Sequence, residues 1–170
     1  MKSVLISIQP KWCELIASGK KTVEVRKTKP KFETPFKCYI YMTKGKWYKD
    51  NKNRWQNGSG KVIGEFVCDK IVQFENSIYD EALRETVARS CVPMYDLLVY
   101  IGKQDYGYGW HISDLVIYDE PKELSDFVKP CNHYNDCCTC DRYDYIGHKC
   151  YNEITRPPQS WCYVEERSKR

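Results

Sequence analysis

Apolar and polar positions alternate with a period of two along several short stretches of the chain, and this pattern predicts strands. Residues 3–8 alternate in this way. Gln9-Pro10 then breaks the pattern, and residues 10–18 read as a helix with Trp12, Leu15 and Ile16 on one face. Proline fits a first helical turn, and Gly19 is a good C-terminal stop. In the next stretch, residues 21–27, Val23 and Val25 share one face of a predicted strand, while Thr22, Glu24 and Arg26 share the other. Residues 36–43 place Phe36, Cys38, Ile40 and Met42 on one face. Residues 44–60 are polar and rich in Gly, Asn and Lys, and read as a mobile basic loop. A long strand is predicted over 61–74, with Gly64 as a bulge or point of close approach. Helices are predicted over 79–89 and 93–101, a strand over 107–118, a short extended piece over 122–127 and a closing strand over 161–166. Short strands with helical interludes and no regular βαβ alternation predict an α+β fold with a barrel-like mixed sheet.

At 170 residues, one domain spanning 1–170 is expected, with a Cys-rich insert at about 130–152. The 14 Tyr and 5 Trp carry too much apolar surface for a disordered chain. No apolar run is long enough to span a membrane and no signal-peptide cleavage pattern is seen, so a cytoplasmic protein is expected.

The net charge of +4 conceals an asymmetry. Residues 1–61 hold 15 Lys/Arg against 4 Asp/Glu, and residues 62–170 hold 12 against 19. Trp12, Tyr39, Tyr41, Trp47, Tyr48 and Trp55 are interleaved with the basic half. Lysines neutralise phosphates and aromatic faces stack on unpaired bases, so RNA or single-stranded nucleic acid, a nucleotide or a modified base is the expected partner. A soluble surface whose charge blocks cancel in three dimensions is the plainer alternative.

Ten cysteines divide into groups. Cys13, Cys38, Cys68 and Cys162 sit in apolar segments and read as core residues. Cys91 lies at a helix break and has no assigned role. Cys131, Cys137, Cys138, Cys140 and Cys150 crowd the insert together with His133 and His148. Cys137-x-x-Cys140 has the gap that lets two thiolates reach one tetrahedral metal. The insert has few aliphatic residues with which to build a core. One structural zinc is therefore expected on Cys131, Cys137, Cys140 and Cys150, with Cys138 or a histidine able to replace one ligand. A disulfide-bridged loop or an iron–sulfur site are the alternatives.

The run Gly19-Lys20-Lys21-Thr22-Val23-Glu24-Val25-Arg26 places a carboxylate and a guanidinium on one strand face. Its Gly-Lys-x-x-x-Glu-x-Arg core, within residues 7–26, resembles the signature of ASCH domains, small β-barrels of the PUA-like superfamily. GKVIGEF at 60–66, YGWHISDL at 108–115 and PPQSWCYVEE at 157–166 resemble a bacterial and phage-type branch of the same family. The resemblance implies a concave ligand surface beside the barrel. It would gather Lys21, Glu24 and Arg26 with Gln9, Pro10 and Lys11, with Trp110 and His111, and with Gln159, Ser160 and Trp161. Trp110 or Trp161 would stack on a base, although core packing is the plainer role of both. Gln9, Glu24 and Gln159 would read a base edge, and Lys11, Lys21 and Arg26 would hold phosphate.

Some ASCH proteins deacetylate N4-acetylcytidine, with a Lys-Thr-x-Thr-x-Arg strand whose second Thr is the proposed nucleophile. The matching Lys and Arg here are Lys21 and Arg26, but Glu24 stands at the nucleophile position. A carboxylate does not replace a hydroxyl in direct acyl attack; it can activate water, and Arg26 beside it weakens that role. Lys21 and Glu24 are thus the catalytic candidates only if the protein is an enzyme. A ribonuclease using Lys21, Glu24 and His111, and a zinc knuckle that docks a protein partner, are further alternatives.

Overall fold

The computed structural model describes residues 3–45, 48–50, 52–130 and 152–167. Its centre is a seven-stranded sheet in the order β11-β10-β12-β1-β3-β6-β9. Here β1 is Ser3–Ile8, β3 Phe36–Met42, β6 Val62–Cys68, β9 Ser113–Lys122, β10 Phe127–Lys129, β11 Asn152–Glu153 and β12 Trp161–Glu166. β1 runs parallel to β3 and antiparallel to β12. A second sheet holds β2 (Val23–Arg26), β8 (Tyr106–His111) and β7 (Ile71–Glu75), with β8 in the middle and both pairings antiparallel. Both faces of β1 are buried. Val4, Ile6 and Ile8 join a core with Phe36, Cys38, Ile40, Phe66 and Trp110, while Leu5 joins a second with Tyr39, Val62, Phe127 and Val164. A mixed α+β fold is therefore observed. The expected barrel is not closed among the described residues, because the strands divide between separate sheets.

Helix α1 (Pro10–Ala17) carries proline at its first turn and buries Pro10, Cys13 and Ile16. The chain leaves it through Gly19 at φ +73°, a left-handed conformation that glycine adopts without steric cost. Helix α2 (Glu81–Ser90) starts at Asp80, whose carboxylate accepts the Leu83 N–H at 2.6 Å. Such a cap is typically worth ~1 kcal/mol. Cys91 ends the helix at φ +57°, which gives this unassigned cysteine a backbone role. Together with α3 (Met94–Ile101), α2 covers the outer face of the three-stranded sheet through Val25, Phe74, Leu83, Leu97 and Ile101.

Several expected boundaries shift. The long strand over 61–74 is two strands, because Asp69-Lys70 are exposed and turn the chain from one sheet to the other. The strand over 107–118 divides in the same way between β8 and β9. The extended piece over 122–127 contains a 3-10 turn at Leu124–Asp126. At Gly64 the β6–β9 register shifts, and a Cβ there would lie 2.4 Å from the Val116 carbonyl oxygen, so close approach requires glycine.

The basic segment 44–60 contains a hairpin of β4 (Tyr48–Lys49) and β5 (Trp55–Gln56) rather than forming a mobile loop throughout. Asp50 organises it. Its carboxylate accepts from the backbone N–H groups of Lys52 (2.9 Å) and Arg54 (2.8 Å), from Arg54 Nε (2.9 Å) and from Gln56 Nε2 (3.3 Å). These donors hold the Asp50 carboxyl down at about 2, despite the opposing effect of burial.

Candidate functional site

The strand motif folds into a buried ionic triad. Glu24 Oε1 lies 3.0 Å from the Arg26 guanidinium, and Glu24 Oε2 lies 3.2 Å from Lys21 Nζ. All three side chains are at most 8% exposed. The sequence leads one to expect a half-buried strand, but all four residues of β2 are buried. Val25 faces α2 and α3. Glu24 lies opposite Trp110 on β8, and Trp110 packs edge-on to Phe36 in the main core, 5.5 Å between ring centroids.

Ions buried this deeply need partners. Lys21 Nζ donates to the Ser90 carbonyl at 2.8 Å, at the C-terminal end of α2 where the helix dipole favours a cation. The Trp12 ring centroid lies 5.4 Å from the same ammonium. Arg26 donates to the Ser7 carbonyl at 2.7 Å and to Ser160 Oγ at 3.4 Å. Residues 158–160 are brought to the end of β1 by two further bonds: Ser7 N–H to the Ser160 carbonyl (2.9 Å) and Ser7 Oγ to the Pro158 carbonyl (2.6 Å). Gln9 follows this junction and Gln159 lies within it, both exposed.

The triad is not fully satisfied internally. Glu24 Oε2, Arg26 Nε and Trp110 Nε1 are buried without a hydrogen-bond partner in the protein. The Glu24 Oε2–Lys21 contact meets the distance of an ion pair but not the alignment of a hydrogen bond. Native structures contain few such atoms, and each calls for an explanation. Beside them, burial pushes the Cys13 thiol far above its ordinary range and the Glu24 charge adds to the effect.

Around the triad lies a rim of lysines and aromatic rings. Lys11 Nζ sits 4.6 Å from the Trp12 ring centroid, Lys27 Nζ 5.2 Å from Tyr100 and Lys29 Nζ 5.7 Å from Tyr108. Trp161 is half-buried, 5.8 Å from Trp110, and its Nε1 donates to Thr28 Oγ1 at 3.1 Å. The basic hairpin segment borders the same region: a Cβ at Gly58 would lie 2.7 Å from Pro10 Cγ.

The structure thus brings together Glu24, Arg26, Lys21 and Ser160, with Gln9, Pro10, Lys11, Gln159 and Trp161 about the β1 end. It corrects two expected roles. Trp110 is fully buried and packs in the core, so its face is not open to a base. His111 lies opposite Val23 rather than Glu24, because successive strand residues point to opposite faces. A catalytic set of Lys21, Glu24 and His111 is therefore divided between two sides of the sheet. Ser7 and Ser90 were missed by sequence reasoning, since both reach the triad through backbone carbonyls. The proposed zinc ligands Cys131, Cys137, Cys140 and Cys150 lie outside the described residues. Cys13, Cys38 and Cys68 are buried free thiols, and Cys162 is half-buried.

The ASCH domain family model matches residues 6–100, more than half of the chain, and the protein belongs to the ASCH family, one proposed to bind RNA. No curated protein matches the sequence. The crystal structure of ASCH from Zymomonas mobilis is similar, with a TM-score of 0.60 and 21% identity, over 96% of this chain and 88% of that one. A Tyr-to-Phe mutant of the Zymomonas protein gives 0.60 and 18% over 97% and 91%, and a Ser-to-Ala mutant 0.60 and 18% over 96% and 89%. At these identities the likeness establishes the fold alone. Among the described residues no helix is long and apolar enough to cross a membrane.

Proposed function

We propose that this ASCH domain is a binding module for RNA, or for a nucleotide or modified base, rather than a hydrolase. The observation that carries the reading is the buried triad, in which Glu24 Oε2 and Arg26 Nε have no hydrogen-bond partner in the protein, beside the junction of β1 with residues 158–160. A rigid ionic pair with spare acceptor and donor capacity suits the polar edge of a base. Gln9, Gln159 and Ser160 add adaptable polar groups, and Trp161 supplies an aromatic face at the rim.

Phosphate contact passes from Lys21, which is enclosed, to exposed cations. Lys11, Lys20, Lys29 and Lys31 are exposed, and none is ion-paired with a described carboxylate. Lys27 and Lys29, each near a tyrosine ring, combine charge with a stacking surface.

The deacylation alternative is disfavoured by the chemistry of the triad. Glu24 is held between two cations, and Thr22, the nearest hydroxyl in the motif, precedes the strand and accepts from Arg89 Nε at 3.4 Å. We also propose one structural zinc in the insert, on Cys131, Cys137, Cys140 and Cys150. The support for it is the Cys-x-x-Cys spacing and the scarcity of aliphatic residues around it. The binding reading is tested with single-stranded RNA and with acylated nucleosides, following both complex and product. Salt-sensitive binding with the ligand recovered unchanged is expected; turnover that is lost in Glu24→Ala would establish an enzyme instead.

A further inference from the structure

The face of β8 that carries His111 borders a partly open cavity of about 220 Å³, lined also by α2 and the β6–β7 turn. This is below the roughly 300 Å³ at which pockets for drug-sized ligands begin, so a small occupant fits. Val23 and Val72 give it apolar walls. Gly109 lets α2 approach: a Cβ there would lie 3.0 Å from Val23 Cγ1 and 3.1 Å from Thr86 Oγ1.

A chain of polar contacts crosses the cavity. His111 Nδ1 lies 2.6 Å from Asp69 Oδ1, and Arg89 NH2 lies 2.8 Å from His111 Nε2. The guanidinium can only donate, so Nε2 is the acceptor toward Arg89 and the Nδ1 N–H faces Asp69. Arg89 also donates to Glu85 Oε1 at 3.3 Å and to Thr22 Oγ1 at 3.4 Å. Both carboxylates therefore already have partners, whereas the cations have capacity to spare. Three of the five guanidinium N–H groups are used, and Lys70 is exposed with no ion pair to a described carboxylate. What the cavity still offers a ligand is chiefly hydrogen-bond donors carried by positive groups, beside a small apolar wall.

We propose that this cavity binds a small organic oxyanion, a carboxylate or phosphate head on a short apolar body, held by Arg89 and Lys70. The head takes the Arg89 NH2 donor from His111. Nε2 is then free to accept a proton, and Asp69 on the opposite side of the ring stabilises the imidazolium. The charged groups facing His111 are Asp69 and Lys70 from the β6–β7 turn and Glu85 and Arg89 from α2; β2 presents Val23, and Thr22 just before it presents its hydroxyl. Oxyanion binding and His111 protonation thus reinforce each other.

The test titrates sulfate, whose charge stays fixed across the range, and isobutyrate, which adds an apolar body to a planar head. The His111 imidazole is followed by NMR about one unit above and below the ordinary histidine value of roughly 6.5, its signal assigned with His111→Gln. Saturable shifts with Kd on the order of 1 mM are expected. Affinity should tighten by up to about tenfold per unit fall in pH, the limit for uptake of one proton. Tighter binding of sulfate points to a phosphate head, and tighter binding of isobutyrate to a carboxylate. The exposed Lys70→Gln variant should weaken binding at least about threefold without affecting folding. Arg89→Lys keeps the charge but loses the fork, and should abolish saturation. No saturable shift with either ion would overturn the proposal. So would affinity unchanged in both variants, or affinity that rises with pH.

Discussion

Glu24→Gln tests the triad directly, because it removes one charge while preserving shape. The carboxylate is the shared partner of two cations, 3.0 Å from Arg26 and 3.2 Å from Lys21, and no member is more than 8% exposed. Removing one member of a buried ion pair costs about 3–5 kcal/mol, since the remaining charge stays desolvated. Here two cations lose their counter-charge, which argues for the upper end of that range. Arg26 keeps the Ser7 carbonyl and Lys21 keeps the Ser90 carbonyl, which argues for the lower end. About 3 kcal/mol is the expected loss, a large part of the roughly 5–15 kcal/mol that holds a typical domain together. With a urea m-value of about 2 kcal/mol/M, the midpoint should fall by about 1.5 M at unchanged slope. The exposed pair of Glu85 and Arg89 is the control, and Glu85→Gln should cost less than about 1 kcal/mol. Adding Lys21→Met to Glu24→Gln should recover part of the loss, because one orphaned cation is gone. A loss below about 1 kcal/mol for Glu24→Gln would refute the reasoning, for it would mean that the cations do not depend on this carboxylate.

Four other outcomes are expected. Replacing Lys27 and Lys29 together by Gln should flatten the log K against log salt slope for single-stranded RNA by about 1.4, two phosphate contacts at ~0.7 each; an unchanged slope places the RNA elsewhere. Purified protein should carry close to one zinc per chain by elemental analysis, and less than about 0.3 would contradict a structural site. Asp50 has a folded pKa of about 2, below its ordinary 3.8. Its contribution to the hairpin is therefore present above pH 3.8 and lost as pH falls through about 2. Amide exchange at Lys52 and Arg54 should accelerate in that window, and Asp50→Asn should abolish the effect. Gly107→Ala places a Cβ 2.4 Å from Phe74 Cζ and should cost about 1–3 kcal/mol by thermal melts; a neutral result would show that Phe74 has room to move.

The sequence was most legible where a local rule had no competitor. Pro10 and Gly19 bracket α1 as expected, and the β3 alternation places Phe36, Cys38 and Ile40 in one core. The charged positions of the second strand were less informative, because spacing identifies the faces of a strand but not what covers them. Glu24 and Arg26 share a face as expected, yet that face is buried against Trp110 and the end of β1. The splits at Asp69-Lys70 and between His111 and Ser113 were hidden because each strand continues with similar apolar content in another sheet. The hairpin in 44–60 escaped notice because one side chain, Asp50, gathers its donors through backbone N–H groups that leave no trace in composition. The resemblance places His111 in one pocket with Trp110, whereas strand geometry sends these neighbours to opposite faces.

The most direct measurement of the central claim is fluorescence anisotropy with a single-stranded RNA oligomer across a salt series, for wild type and Glu24→Gln, with the RNA recovered for mass spectrometry. The account predicts binding that weakens steeply with salt, weaker binding by the variant after correction for its folded fraction, and RNA of unchanged mass. Equal affinity in the two folded proteins, or RNA recovered cleaved or deacylated by wild type alone, would contradict it.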